Sequence, residues 1–238
     1  MHYYEHTSIE IDDQTIALHA LIDACNGSIA YRLLEHLGFP CVGKRVLDLG
    51  AGTGQVSRFL SGFPGLIIEA CDPDPKVALH FSSNPELNRI PFHSVNCFSL
   101  ELGKFDAVVA RGVYHHIGKS DRPSFLKRLL DLAPIAIIAD EGIQEYSSEG
   151  ERLRNCEKWY RYVIAEAQRR KIEGLALIET EYLRHEQLGT ADDGGDYKES
   201  PSHLLNDAAK VNMKPKSVDR YGPWDEFGGG FFTATFTQ

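Results

Sequence analysis

One short segment near residue 50 constrains the fold more than any other part of this 238-residue chain. The segment from Val46 to Val56 reads VLDLGAGTGQV, which predicts a buried strand, a glycine turn and the start of a helix. Glycines let a backbone turn tightly and approach a ligand closely, because they lack a Cβ. The helix start adds unpaired N–H groups and the positive end of the helix dipole. The segment therefore predicts a βα unit that binds a nucleotide-like ligand at its turn.

The spacing of the glycines separates this turn from the dinucleotide fingerprint G-x-G-x-x-G. Gly50 and Gly52 fit that fingerprint, but Gln55 stands where its third glycine belongs, and the third glycine here is Gly54. Asp48 precedes the first glycine by two residues, at an apolar strand end. A buried carboxylate is costly unless a cation or several donors meet it. A pyrophosphate has the same sign of charge, whereas an α-amino group is positive and suits the carboxylate.

The pattern D-x-G-x-G-x-G resembles the first motif of class I S-adenosylmethionine-dependent methyltransferases. The resemblance implies that the methionine end of S-adenosylmethionine lies against Asp48, Gly50, Ala51, Gly52 and Gly54. A Rossmann domain that binds another nucleotide cofactor is the alternative.

Two further segments match the same family. Leu66 to Asp72 reads LIIEACD and ends in an acid 18 residues after Gly54. A carboxylate at the end of the second strand can accept both hydroxyls of a ribose. Asp72 thus matches the family's ribose-binding acid, and Pro73 follows it. The pair Asn96-Cys97 stands where the family often has Asp-Ala near the adenine.

The segment from Phe105 to His116 reads FDAVVARGVYHH and resembles the family's fourth strand, F-D-x-V. Arg111 departs from the small or amide residue that is usual there. Its guanidinium can pair with the cofactor carboxylate, with an acidic group on the substrate, or with a neighbouring acid of the protein. His115 and His116 follow the strand end that faces the methyl group, and histidine titrates near neutral pH. Either suits proton removal from the acceptor, with His115 preferred.

Apolar runs alternate with helical patterns along the chain, which indicates a parallel sheet with helices on both faces. Seven strands are predicted, near 45–50, 66–71, 91–95, 105–110, 134–140, 216–221 and 231–236. With the resemblance, the fold class is α/β: a Rossmann-like, mostly parallel seven-stranded sheet whose last strand is antiparallel.

We predict a single domain over residues 1–238. Its parts are a helical N-terminal lid (1–43), a cofactor-binding core (44–141), a helical cap that holds substrate (142–200), and a C-terminal helix with the last two strands (201–238). Two N-terminal helices are predicted, at 16–22 and 29–37, and they either cover the cofactor or only pack on the sheet. Glu141, at the end of the fifth strand, either contacts substrate or caps the next helix.

Charge restricts the class of partner. The net charge is −9, which argues against a nucleic-acid surface. Residues 141–200 contain 14 acidic and 9 basic residues, a balance that favours neutral or cationic small molecules unless this face is merely solvated. No apolar run approaches a membrane span, and no secretory signal is visible. Five widely spaced cysteines contain no C-x-x-C pair, so we expect no metal site and a reducing cytoplasm.

The sequence therefore predicts a methyltransferase that acts on an oxygen or nitrogen atom of a small molecule. Three alternatives remain: methylation of protein or tRNA, a regulatory cofactor-binding scaffold, and a methyltransferase-like fold that runs another reaction. The pattern does not specify the acceptor or the oligomeric state.

Overall fold

The computed structural model describes residues 16–101, 103–191 and 196–238. Within them, seven strands form a single sheet: β1 (Arg45–Leu49), β2 (Ile67–Cys71), β3 (Phe92–His93), β4 (Ala107–Arg111), β5 (Ile135–Ile143), β6 (Lys214–Tyr221) and β7 (Gly229–Thr237). The α-helices are α1 (Ile16–Leu37), α2 (Gln55–Ser61), α3 (Pro75–Ser83), α4 (Arg122–Leu132), α5 (Glu149–Arg169), α6 (Glu173–Leu188), α7 (Pro201–Lys210) and α8 (Trp224–Phe227). None of the described helices is both long enough and apolar enough to span a membrane.

The strand order is β3-β2-β1-β4-β5-β7-β6. Strands β1 to β5 pair in parallel, and β7 lies antiparallel between β5 and β6. The predicted α/β fold with an antiparallel last strand is confirmed. Parallel pairing places the carboxyl ends of β1, β2, β4 and β5 at one edge of the sheet, which is where such folds bind ligands.

Apolar helix faces cover the sheet on both sides, as predicted. On one face, Phe125 and Leu129 of α4 pack with Leu204 of α7 against the strands. On the other face, Ile29 of α1 and Leu60 of α2 bury their side chains. Both clusters include side chains of β1, β4 and β5, so these central strands are continuous apolar runs.

The N-terminal segment forms one helix where the sequence predicted two. Residues 25–28 read CNGS and are weak helix formers, but Cys25 and Ile29 are both buried. Packing against the sheet outweighs the local propensity, and α1 continues to Leu37. The helix ends where predicted, with the Gly38 N–H donating to the Leu34 carbonyl at 3.0 Å. Residues 1–15 of the predicted lid lie outside the described part of the chain.

Strand β5 is longer than its apolar run predicted. The sequence placed its end near Asp140, whereas the strand continues to Ile143. Pairing with β7 explains the extension, because the ladder continues to the pair Ile143 and Gly229. Asp140 and Glu141 therefore lie within the strand and not in the following loop.

Helices α5 and α6 form the body of the segment that was predicted as a cap. The predicted helical character of this segment is confirmed, and α5 buries Cys156 and Tyr160 fully. Arg152 of α5 forms a buried two-point ion pair with Glu186 of α6, at 3.1 and 2.7 Å. This pair ties the two helices together.

Candidate active site

The glycine turn after β1 is fastened to the end of β2. The N–H groups of Gly50 and Ala51 donate to the Cys71 carbonyl at 2.8 and 3.1 Å. A Cβ on Gly50 would overlap the Val113 side chain, and one on Gly54 would lie 2.6 Å from Leu87 Cδ1. Close packing inside the protein thus requires these two glycines.

Gly52 differs, because its Cβ position faces open space. Its φ is +49°, and the nearest atom to an added Cβ is the Gly50 carbonyl oxygen at 4.0 Å. The Gly52 N–H donates to Asp72 Oδ2 at 3.0 Å. The open concave side of the turn is the part of the site that fits a ligand approaching the backbone closely.

Asp72 holds the turn from the end of β2. Its second oxygen accepts the Asp74 N–H at 2.9 Å. Burial raises the pKa of the Asp72 carboxyl, and the two backbone N–H groups oppose the rise. Each carboxylate oxygen can accept a further hydrogen bond, so a diol can bind beside these contacts. Pro73 follows directly and precedes the start of α3.

Asn96 and Cys97 lie after β3, where the resemblance places the adenine. Asn96 caps the short 3₁₀ turn Cys97–Ser99 by accepting the Phe98 N–H at 3.0 Å. Cys97 is buried, and this burial raises the pKa of its thiol to about 11. The thiol is therefore neutral and behaves as a small apolar side chain.

Asp48 is buried near the end of β1, as predicted, with 1% of its surface exposed. The Ser57 hydroxyl donates to its Oδ2 at 2.6 Å. Burial raises the pKa of Asp48 to about 6, although Ser57 and Arg111 oppose the rise. The sequence did not single out Ser57, which is fully buried, whereas Phe59 of the same helix is 37% exposed.

Arg111 ends β4 at the same edge of the sheet. Its guanidinium donates to Asn26 Oδ1 at 3.3 Å and to Gln55 Oε1 at 3.0 Å. Both partners are neutral amides, and no carboxylate among the described residues forms a salt bridge with Arg111. Burial lowers the pKa of Arg111, while Asp48 opposes the decrease. The cation thus has no paired anion among these residues, although it lies in the field of Asp48.

His115 and His116 form a short 3₁₀ turn after β4. Asp140 Oδ2 accepts the His115 backbone N–H at 3.1 Å, and Asp140 Oδ1 contacts His115 Nδ1. Burial lowers the pKa of His115, but Asp140 and Asp196 outweigh it and the net pKa is raised. The His116 ring packs edge-on against His115, with centroids 3.9 Å apart. The structure therefore pairs His115 with a carboxylate and places the His116 ring edge-on beside it.

Glu141 lies next to this pair on β5 and binds two donors. Trp159 Nε1 donates to Glu141 Oε2 at 3.1 Å, and Lys198 Nζ lies 2.8 Å from the same oxygen. Lys198 also contacts Asp196 Oδ2 at 2.8 Å. Glu141 thus contacts a buried lysine that the sequence did not single out.

Three buried polar residues of the cap were missed: Glu179, Asp196 and Lys198. Together with Tyr160 and the predicted Glu141, they form what we call the acidic cluster: Glu141, Tyr160, Glu179, Asp196 and Lys198. The buried residues of α6 recur at 176, 179, 183 and 186, so helical spacing alone could have placed Glu179 on an inward face. Nothing in the local sequence marks Lys198. Among the described residues, no three His, Cys, Asp or Glu side chains are arranged to hold a metal ion.

A family model for a methyltransferase domain matches residues 47–134. This segment contains the glycine turn, Asp72 and Arg111. No curated protein sequence matches the chain.

Solved structures share the fold at low sequence identity. The methyltransferase domain of bacterial CtHen1-CN has a TM-score of 0.59 and 16% identity, covering 92% of this chain and 100% of that one. A Burkholderia thailandensis 1,6-didemethyltoxoflavin-N1-methyltransferase, crystallised with S-adenosylhomocysteine, has a TM-score of 0.56 and 16% identity, covering 94% and 86%. Magnesium protoporphyrin IX methyltransferase from Synechocystis, crystallised with S-adenosylmethionine, has a TM-score of 0.59 and 11% identity, covering 97% and 86%.

The family model covers the segment from β1 to α4, and the solved structures share the fold over nearly the whole chain. Residues 47–134 thus match a methyltransferase domain, and the chain as a whole shares the fold of Rossmann-like methyltransferases.

Proposed function

We propose that the protein methylates an oxygen or nitrogen atom of a small molecule, with His115 as the general base. The observation that carries this proposal is the contact between His115 Nδ1 and the buried Asp140, beside the sheet edge that holds the glycine turn. S-adenosylmethionine, when bound, supplies an activated methyl group on a sulfonium. The protein must then position the acceptor in line and remove its proton.

The glycine turn and its neighbours suit the cofactor. The open face of Gly52 admits the methionine end, Asp48 faces its α-amino group, and Arg111 faces its carboxylate. Asp72 accepts the ribose hydroxyls, and the segment Asn96-Cys97 borders the adenine. Asp48 and Arg111 interact electrostatically across the sheet edge, which matches the opposite charges of an amino-acid tail.

Asp140 prepares His115 for proton removal. A carboxylate on Nδ1 favours the tautomer with the proton on Nδ1, so Nε2 carries the lone pair. The backbone hydrogen bond from His115 to Asp140 fixes the turn on β5. The same carboxylate stabilises the imidazolium that forms when His115 accepts a proton.

Helices α5 and α6 support a small acceptor. They bury polar side chains next to Glu141, which suits an enclosed molecule better than a long polymer. Two of the solved neighbours act, by their names, on 1,6-didemethyltoxoflavin and magnesium protoporphyrin IX. The net charge of −9 also disfavours a nucleic acid. We therefore assign α5 and α6 to the cap that holds the acceptor.

The five cysteines are free and buried: Cys25, Cys41, Cys71, Cys97 and Cys156. Such thiols suit a reducing compartment, and we place the protein in the cytoplasm on this basis.

Isotope labelling tests the proposal. The protein is incubated with methyl-labelled S-adenosylmethionine and a cell extract, which is then separated into small molecules, protein and RNA. We expect label in the small-molecule fraction, and none there with the Gly52→Val variant. Label confined to protein or RNA would show that the acceptor is a macromolecule and not a small molecule. Absence of transfer to any fraction would reject the proposed activity.

A further inference from the structure

We infer that the methyl acceptor carries a protonated amine, and that this ammonium group binds at the acidic cluster between β5, α5, α6 and the segment 196–198. The inference rests on the proposed function, since it names the class of molecule bound at the same site. It assigns the ammonium group an anchoring role that is separate from proton removal by His115.

The cluster has a single cation at its centre. Lys198 Nζ lies 2.8 Å from Glu141 Oε2 and 2.8 Å from Asp196 Oδ2. The same ammonium lies 4.9 Å from the centre of the Tyr160 ring. Lys198 is 1% exposed, and Asp196 and Glu179 are 3% and 5% exposed. Water is thus largely excluded from these charges, and electrostatic interactions between them are strong.

Three polar atoms of the cluster have no hydrogen-bond partner among the described residues. They are the Tyr160 hydroxyl, Glu179 Oε2 and Asp196 Oδ1, and each is buried. A buried polar group without a partner costs free energy, so such groups usually contact something. All three can accept a hydrogen bond, and an ammonium group has up to three N–H donors to give. The three atoms therefore match the donors of a protonated amine.

The charges of the cluster point to the same ligand. Three carboxyl groups, Glu141, Glu179 and Asp196, share one buried lysine. Burial raises the pKa of Glu179 to about 8, Glu141 and Asp196 add to the rise, and Lys198 opposes it. Glu179 is thus mostly neutral at pH 7 without a ligand. A second cation would let Glu179 ionise, because it would offset the added negative charge.

The cluster adjoins the proposed base. The Tyr197 N–H donates to the His115 carbonyl at 2.8 Å, which fixes the segment containing Asp196 against the His115 turn. His115 also contributes to the electrostatic environment of Glu179 and Asp196. An ammonium group held at Glu179 and Asp196 would leave the rest of the acceptor near His115. This arrangement gives the cluster a positioning role in catalysis.

Matched probes test the inference. The protein, saturated with S-adenosylhomocysteine, is titrated with benzylammonium chloride and with neutral benzyl alcohol at constant ionic strength, and thermal shift and calorimetry report binding. We expect benzylammonium to bind and benzyl alcohol not to. Binding should strengthen between pH 6 and 8, because an increasing fraction of Glu179 is ionised over this range. The charged groups that face Glu179 are Lys198, Glu141, Asp196 and His115, and its pKa in their presence is about 8.

Two variants locate the binding. Glu179→Gln resembles the neutral acid that the free protein already contains, so it should fold, and Tyr160→Phe removes a hydroxyl that has no partner. Each should weaken benzylammonium binding by roughly tenfold or more, as expected for charge-assisted hydrogen bonds. Glu181→Gln is the control, since Glu181 lies on the same helix, is exposed and pairs with Arg184 at 2.8 Å.

Equal binding of the two probes, absence of amine-specific binding, or full binding by Glu179→Gln would each overturn the inference. These results differ from a failure of the proposed function. If the labelling experiment identified only neutral or anionic acceptors, and benzylammonium did not bind, only the proposed ammonium site would be rejected. Amine binding at the cluster without methyl transfer would instead reject the proposed activity.

Discussion

Asp140 contacts both the backbone and the ring of one residue, His115. It accepts the backbone N–H at 3.1 Å and contacts the ring at Nδ1, with 1% of its own side chain exposed. Two contacts from one buried carboxylate fix both the position and the tautomer of the imidazole. These two contacts support His115 as the proposed base.

His115→Ala should lower the rate of methyl transfer about 100-fold or more, the range expected for loss of a general base. Single-turnover kinetics measure the rate, and calorimetry with S-adenosylhomocysteine should show nearly unchanged affinity. His116→Ala is the matched control and should keep most of the rate. Equal activity of the wild type, both single variants and the double variant would exclude histidine base catalysis.

The pH profile gives a second measure of the same pair. Burial lowers the pKa of His115, but Asp140 and Asp196 raise it more. A base acts in its neutral form, so the rate should rise with pH through an apparent pKa above 6.5. Asp140→Asn removes the largest of the effects that raise the pKa, and the profile should move to lower pH while the maximal rate falls. An unchanged midpoint in this variant would exclude His115 as the titrating base.

Gly52→Ala should weaken S-adenosylhomocysteine binding by roughly tenfold or more, because the new Cβ enters the space where the ligand approaches the backbone. Gly43→Ala is the control, since Gly43 also has a left-handed φ, +76°, and no atom within 4 Å of an added Cβ. It lies before β1, at the opposite edge of the sheet. Calorimetry should therefore show weaker binding only for Gly52→Ala, although both variants carry similar backbone strain. Equal affinities for the two variants would contradict the assigned cofactor position.

The fold could be predicted because its signals are local. Apolar runs marked β1, β4 and β5. Asp74 before Pro75 is likewise typical of a helix start, and its side chain accepts the Lys76 N–H at 2.8 Å. The continuity of α1 could not be predicted, because the packing of Cys25 and Ile29 overrides weak local propensity. The same holds for the end of β5, which depends on pairing with a strand about 90 residues later.

The candidate site divides in the same way. Its cofactor side follows from a motif of seven residues, Asp48 to Gly54, which are close in sequence. Its acidic cluster joins β5, two helices and the segment around Lys198, and no local pattern brings these together. A lysine in a polar segment is ordinarily exposed, so the sequence offered no reason to expect it buried.

Asp48→Asn should stabilise the cofactor-free protein at pH 7.5 while weakening cofactor binding. Burial raises the pKa of Asp48 to about 6, above the ordinary value of 3.8, so ionisation is unfavourable in the folded state. The neutral Asp48 carboxyl contributes to the stability of the folded state. This contribution is fully present below pH 3.8 and is lost as the pH rises through about 6. The variant should unfold with a free energy ~1–3 kcal/mol higher at pH 7.5, and with little difference at pH 4.

Urea denaturation at the two pH values measures this difference. The amide can still accept the Ser57 hydroxyl, so the local hydrogen bond is kept. A variant that is less stable than the wild type at pH 7.5 would contradict the claim that ionisation of the buried Asp48 carboxyl destabilises the folded protein. Unchanged affinity for S-adenosylhomocysteine would remove Asp48 from the cofactor site.

Arg111→Gln should weaken binding of S-adenosylhomocysteine by roughly tenfold or more. The variant loses the charge-assisted hydrogen bond between the guanidinium and the carboxylate of the ligand. Binding of methylthioadenosine, which lacks the amino-acid tail, should be unchanged. The present partners of Arg111 are the amides of Asn26 and Gln55, so glutamine can replace it without leaving a buried charge unpaired. Arg58→Gln is the control, since Arg58 is exposed on α2 and pairs with Glu86 at 3.2 Å. If Arg111→Gln bound both ligands as the wild type does, the guanidinium would instead face an acidic group of the substrate.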